Sequence, residues 1–169
     1  MINKVRVALM GNPNCGKSSI FNSLTGSRQH VGNWPGKTVE VSRADCIYGN
    51  GEVELIDLPG TYSLAAYSLE EVIARDFLLD EKPDVVVCVV DAANLERNLY
   101  LTVQVLELGF PIVLALNMVD VTEAAGVRID EEKIGRALQC PVIRTIARDG
   151  KGVKELIEAA VCAARSNAE

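Results

Sequence analysis

Two stretches of the chain are apolar at every position: Val85–Val90 (VVVCVV) and Ile112–Leu116 (IVLAL). Val5–Met10 (VRVALM) is nearly so. Short continuous runs of this kind predict strands buried on both faces. Between them lie segments with helical spacing, and helices are predicted over Lys17–Leu24, Leu69–Leu79, Leu95–Leu108, Glu131–Leu138 and Val153–Ala164. Two further strands are predicted at Val39–Ile47 and Glu52–Asp57, joined by Tyr48-Gly49-Asn50-Gly51, where Asn-Gly signals a hairpin. A last strand is expected over Pro141–Ile146. Residues from Ser27 to Thr38, rich in Gly, Asn and Pro, show little periodicity and read as a loop. The pattern predicts an α/β fold. Its sheet would be six-stranded and mostly parallel, with one antiparallel strand and helices on both faces. Ligands in such sheets sit at the carboxyl ends of the strands.

Composition narrows this picture. A chain of 169 residues suggests a single domain, and 49% hydrophobic residues supply one substantial core. Aromatics make up only 5%, so the core must be mostly Val, Leu, Ile and Ala. The net charge of -6 argues against a nucleic-acid partner but not against a nucleotide, which needs only local positive potential. The five cysteines, Cys15, Cys46, Cys88, Cys140 and Cys162, form no Cys-x-x-Cys pair, and a reduced compartment is the simplest reading. No run approaches the roughly 20 apolar residues that cross a bilayer. The start, Met1-Ile2-Asn3-Lys4, lacks a signal-peptide core, so the chain as given reads as soluble.

Gly11-Asn12-Pro13-Asn14-Cys15-Gly16-Lys17-Ser18 fits G-x-x-x-x-G-K-[ST], after a predicted strand and opening a predicted helix. Gly11 and Gly16 let the backbone bend so that successive N–H groups face phosphates, and the helix start adds partial positive charge. Lys17 would reach the β- and γ-phosphates, and the Ser18 hydroxyl would ligate magnesium. Ser19 extends the phosphate-binding set. Cys15, near a helix start, is expected to have a depressed thiol pKa and to serve as a labelling site.

Asp57-Leu58-Pro59-Gly60 fits D-x-x-G. Asp57 would hold magnesium, and the Gly60 N–H could meet the γ-phosphate. Asn117-Met118-Val119-Asp120 fits N-x-x-D, in which a carboxylate accepts from guanine N1–H and the 2-amino group. Adenine offers neither donor, so it would leave that carboxylate unpaired. Asn117 and Met118 complete this guanine-binding set, with Met118 keeping the apolar stem of the commoner lysine. Ala147, or its neighbours in Thr145-Ile146-Ala147-Arg148, could offer an N–H to the guanine oxygen. Thr38 is a candidate first-switch threonine completing the magnesium shell, or else the β-branched start of a strand. Asp130-Glu131-Glu132 reads as a helix start rather than an iron site.

Together these motifs resemble the TRAFAC class of translation-factor-related GTPases. Three segments are similar to a narrower family, ferrous-iron transport protein B. They are Val31-Gly32-Asn33-Trp34-Pro35-Gly36-Lys37-Thr38-Val39-Glu40, Asp57-Leu58-Pro59-Gly60-Thr61-Tyr62-Ser63-Leu64, and Asn94-Leu95-Glu96-Arg97-Asn98-Leu99-Tyr100-Leu101-Thr102. The resemblance implies a GTP-binding and GTP-hydrolysing switch domain that regulates or drives ferrous iron uptake. It implies a place on the cytoplasmic face of the bacterial cell membrane. It also implies helical and membrane domains as partners, which this sequence does not contain, so the chain reads as an isolated G domain over residues 1–169. Mg²⁺ is the implied cofactor. The resemblance further implies K⁺ beside the phosphates, held by Asn14 and by carbonyls near Gly32 and Trp34. That ion would neutralise charge as an arginine finger does. Thr61 stands where many GTPases carry a water-orienting glutamine, and the Gly36 N–H is the implied substitute. The rival reading is a ribosome-assembly GTPase of the same fold, which predicts a basic surface that the composition lacks.

Overall fold

The predicted runs pair into a single sheet. The computed structural model describes residues 4–26, 30–33, 35–36 and 39–168. Its strands are β1 (Val5–Gly11), β2 (His30–Asn33), β3 (Glu40–Tyr48), β4 (Gly51–Asp57), β5 (Val85–Asp91), β6 (Ile112–Asn117) and β7 (Val142–Arg144). Its helices are α1 (Lys17–Thr25), α2 (Leu69–Glu81), α3 (Leu95–Glu107), α4 (Val119–Ala124), α5 (Glu131–Leu138) and α6 (Val153–Ser166). The strand order is β2-β3-β4-β1-β5-β6-β7. β3 runs antiparallel to β2 and β4, and every other pairing is parallel.

The six expected strands are all present, with β3 as the antiparallel one. β2 is a seventh, lying inside the segment read as a loop. It pairs on one side only, from His30↔Arg43 to Asn33↔Glu40. An edge strand this short is held by main-chain hydrogen bonds and needs no apolar alternation, which is why a polar, Gly-containing run conceals it. The hairpin between β3 and β4 turns at Gly49-Asn50, one residue earlier than Asn-Gly suggests, since Tyr48 pairs with Gly51. Gly49 takes φ 58, the positive value a type II′ turn requires at its first central position.

Alternation along the strands splits the core. Val7 and Leu9 of β1 and Val85, Val87 and Val89 of β5 face α1 and α6. Ala8, Met10, Val86, Cys88 and Val90 face α2 and α3, with Ile134 and Leu138 of α5 packed against the same cluster. No residue of Val85–Val90 is more than 2% exposed. Each such valine contributes about 1.5–3 kcal/mol relative to exposure, so this central strand anchors the sheet. At the amino ends of the strands, Arg6 joins Glu54 at 3.1 Å and Glu81 at 2.5 Å, tying β1 to β4 and α2. At the carboxyl ends, β1 delivers residues 11–16, β4 ends on Asp57, β6 ends on Asn117, and β7 leads into residues 145–152. The motifs at residues 11–18, 57–60, 117–120 and 145–148 therefore follow strand ends on one edge of the sheet.

Candidate functional site

The loop after β1 is bent by left-handed residues at Asn14 (φ 63) and Gly16 (φ 95). Asparagine tolerates that region better than most residues, so Asn14 serves the turn. Gly16 is required twice over. A side chain would strain its φ, and a Cβ there would fall 2.0 Å from Asn117 Nδ2. Gly60 is required by proximity, because a Cβ would meet Pro13 Cα and N at 3.1 Å. The Thr61 N–H donates to Gly11 O at 3.0 Å, docking the D-x-x-G segment onto the loop. Gly16 caps α1 with no side-chain hydrogen bond, whereas Ser68 and Asp130 cap α2 and α5. The first N–H groups of α1 thus lack a capping acceptor and can receive an anion.

Asn12, Pro13, Asn14, Gly16, Lys17, Ser18, Ser19, Gly60 and Met118 line one cleft of about 480 Å³. Lys17, buried beneath it, donates from Nζ to Asp57 Oδ1. Burial pushes the Asp57 carboxyl above its ordinary range, and the Lys17 ammonium offsets this in part. Ser18 is exposed beside this pair. A hydroxyl and a carboxylate, both hard oxygen donors, fit a divalent ion such as Mg²⁺. Among the described residues no cluster of three or more His, Cys, Asp and Glu could hold a metal alone.

Next to Met118, Asn117 is 1% exposed and joins three segments. Its Nδ2 donates to Cys15 O at 2.9 Å. Its Oδ1 accepts from Thr145 Oγ1 and from the Ala147 N–H, each at 3.0 Å. The carboxamide thereby positions both loops, and the Ala147 N–H, expected to be offered to a guanine oxygen, donates to Asn117 instead. Met118 adopts φ 61 and caps α4, and its Cε lies 3.7 Å from the Cβ position of Gly16. Asp120 follows in the first turn of α4, where its Oδ2 accepts from Arg148 Nη2 at 2.9 Å.

Other expectations change on this geometry. Cys15 is 1% exposed, and its sulfur occupies the space where a Cβ on Gly11 would lie 2.5 Å away. Burial raises its thiol from 9.0 to about 11, only partly countered by Lys17. The expected low-pKa labelling site is thus corrected to an inert core thiol, because the side chain points under the loop. Thr61 is 2% exposed, so its side chain is packed away from the cleft surface. Among the described residues, Thr61 Oγ1 and Asn12 Oδ1 are buried without hydrogen-bond partners. Gly36 lies in a described turn with φ 74 and open surroundings. Thr38 and Trp34 lie outside the described residues. Asp130 does open a helix, accepting from the Lys133 N–H at 2.9 Å.

Two residues had no part in the sequence reading of the site. Arg148 meets Asp120 across 28 positions, which no local pattern announces. Glu71 accepts from Ser63 Oγ at 3.0 Å and from the Tyr67 N–H at 2.9 Å, closing the segment that follows Gly60. Its spacing from Ser68 is that of a capping box, so this one was readable.

The sheet order, the glycine-bent loop and the uncapped helix define a P-loop GTPase fold. The family model for ferrous iron transport protein B matches residues 5–160. A Porphyromonas gingivalis fusion of Fe(2+) transport protein A and the Fe(2+) transporter FeoB is 50% identical over 155 residues, 91% of this chain and 18% of that protein. The Fe(2+) transporter FeoB of Salmonella typhimurium is 48% identical over 157 residues, 90% of this chain and 20% of that one. Solved structures agree. The FeoB G domain from Methanococcus jannaschii superposes with TM-score 0.86 at 42% identity, covering 96% of this chain and 99% of that domain. The cytosolic domain of T. maritima FeoB in a GDP form gives TM-score 0.93 at 41% identity, covering 99% and 66%. The chain belongs to the ferrous iron transport protein B family, as a GTP-binding G domain. It spans about a fifth of the length of the curated relatives it matches. Among the described residues no helix is long and apolar enough to cross a membrane.

Proposed function

We propose that this chain is a single G domain that binds and slowly hydrolyses GTP, and that its nucleotide state regulates or drives ferrous iron uptake by a larger membrane protein. The observation that carries this reading is the Asn117 cross-tie. It ties the loop after β1 to the loop bearing Ala147, so the groups read here as phosphate-binding and base-reading are held next to each other.

In this reading the α1 N–H groups and Lys17 bind the phosphates. Lys17 exchanges Asp57 for them, which frees the carboxylate for metal. Ser18, Asp57 and Thr38 would hold Mg²⁺, whose chemistry is to neutralise charge on the phosphate oxygens. Asp120 reads guanine N1–H and the 2-amino group, while Met118 covers the base edge. Thr61 is buried and cannot orient water from the cleft surface, so that task passes to the Gly36 N–H. Asn14 is the side chain toward a potassium ion. The T. maritima and S. thermophilus relatives with GDP support nucleotide binding by this fold.

An unassisted GTPase turns over at roughly 10⁻⁴ to 10⁻³ per second, a barrier of about 22 kcal/mol. Phosphate release from GTP, with ATP as control, should run about tenfold faster in potassium than in sodium. Asn14→Ala should keep nucleotide binding and lose that difference. Equal rates for the unaltered chain in the two salts at saturating GTP would sink the potassium assignment, and ATP turnover equal to GTP would sink the guanine one.

A further inference from the structure

The Asp120 side chain is 31% exposed, and Arg148 reaches it from a turn with little freedom to move. Arg148 sits in the single 3₁₀ turn Ala147–Asp149, between two fixed points. On one side the Ala147 N–H is bonded to Asn117. On the other, Ile146 and Lys151 pair across the base of the loop. Asp149 accepts from Arg148 Nε at 3.3 Å, leaving the outer nitrogen directed at Asp120 at 2.9 Å.

The guanidinium is a planar carbon carrying N–H donors. Guanine presents the same grouping at N1, C2 and the 2-amino nitrogen. Arg148 meets Asp120 through one nitrogen on Oδ2, one of the two oxygens that guanine N1–H and the 2-amino group would claim as a planar fork, so Arg148 and guanine compete for that oxygen. We propose that Arg148 is a built-in competitor for guanine at Asp120, lowering nucleotide affinity by holding the carboxylate that the base must claim. This rests on the reading of Asp120 as the guanine-reading residue. Because Arg148 is 73% exposed, the pair is screened and weak, so the competition amounts to roughly two- to fivefold in affinity.

The test is titration of the chain with a fluorescent GDP analogue, at low salt and at about 1 M salt in the same cation. Arg148→Ala should bind about two- to fivefold tighter at low salt, and the gain should vanish at high salt as screening removes the pair. Unchanged or weaker binding by Arg148→Ala at low salt overturns the proposal, as does a gain that persists at high salt. Asp120→Asn tests the underlying reading, since an amide should favour xanthine over guanine. In that background Arg148→Ala should leave xanthosine diphosphate affinity unaltered, because the carboxylate that attracted the arginine is gone. If Asp120→Asn keeps its guanine preference, the reading of Asp120 falls and the proposal falls with it. If Asp120→Asn switches to xanthine while Arg148→Ala gains nothing, only the competitor falls.

Discussion

Around the loop after β1, main chain meets main chain: Thr61 N–H on Gly11 O, and Gly60 against the Pro13 backbone. Around the end of β6, side chains make the contacts: Asn117 to three partners, and Arg148 to Asp120. The first kind of contact is set by glycine and allows almost no change of residue. The second can be retuned by a single substitution. The fold can thus hold the first region fixed while the surroundings of Asp120 change.

The largest test of that contrast is Gly16→Ala. The substitution places a Cβ 2.0 Å from Asn117 Nδ2 at a φ of 95. Strain and overpacking should cost about 2–4 kcal/mol in urea unfolding. Nucleotide affinity should fall by about a hundredfold or more, the equivalent of roughly 2.7 kcal/mol. Retained tight binding would show that the loop is not sterically defined.

Asn117→Ala comes next. It strips three hydrogen bonds and leaves the Thr145 hydroxyl and the Ala147 N–H buried without their acceptor. Unfolding should show a loss of about 2–3 kcal/mol. A change below about 0.5 kcal/mol would mean the two regions are not coupled through this residue.

The smallest effect at neutral pH concerns Cys15. Its thiol is raised from 9.0 to about 11, so the folded state prefers the protonated form. That contribution is complete below about pH 9 and is lost as pH rises toward about 11. Stability should therefore decline across this alkaline window. In the folded protein at pH 8, alkylation read by mass spectrometry should mark the exposed Cys162 and spare Cys15. Prompt labelling of Cys15 would place its sulfur in the cleft.

The apolar runs announced β1, β5 and β6 because burial on both faces favours apolar, β-branched residues without interruption, as at Val85–Val90, and Asn-Gly announced the hairpin of β3 and β4. These signals could not announce β2, an edge strand of four residues. Nor could they announce α4, whose six residues are too few to set a helical period. The bend of the loop after β1 was legible because glycine and lysine at fixed spacing record its geometry locally. The direction of the Cys15 side chain, the inward packing of Thr61 and the Arg148–Asp120 pair were not legible. Each depends on residues brought together from distant parts of the chain.

β2 also has a consequence for reach. Asn33 faces Glu40 across the last rung of its ladder, which begins at His30↔Arg43. Opening that ladder frees one residue from either strand per rung, about 6.6 Å of contour. A slip by one residue would turn every side chain of the strand over, so partial steps are disfavoured. The ladder is therefore a zip with fixed teeth that opens in whole rungs.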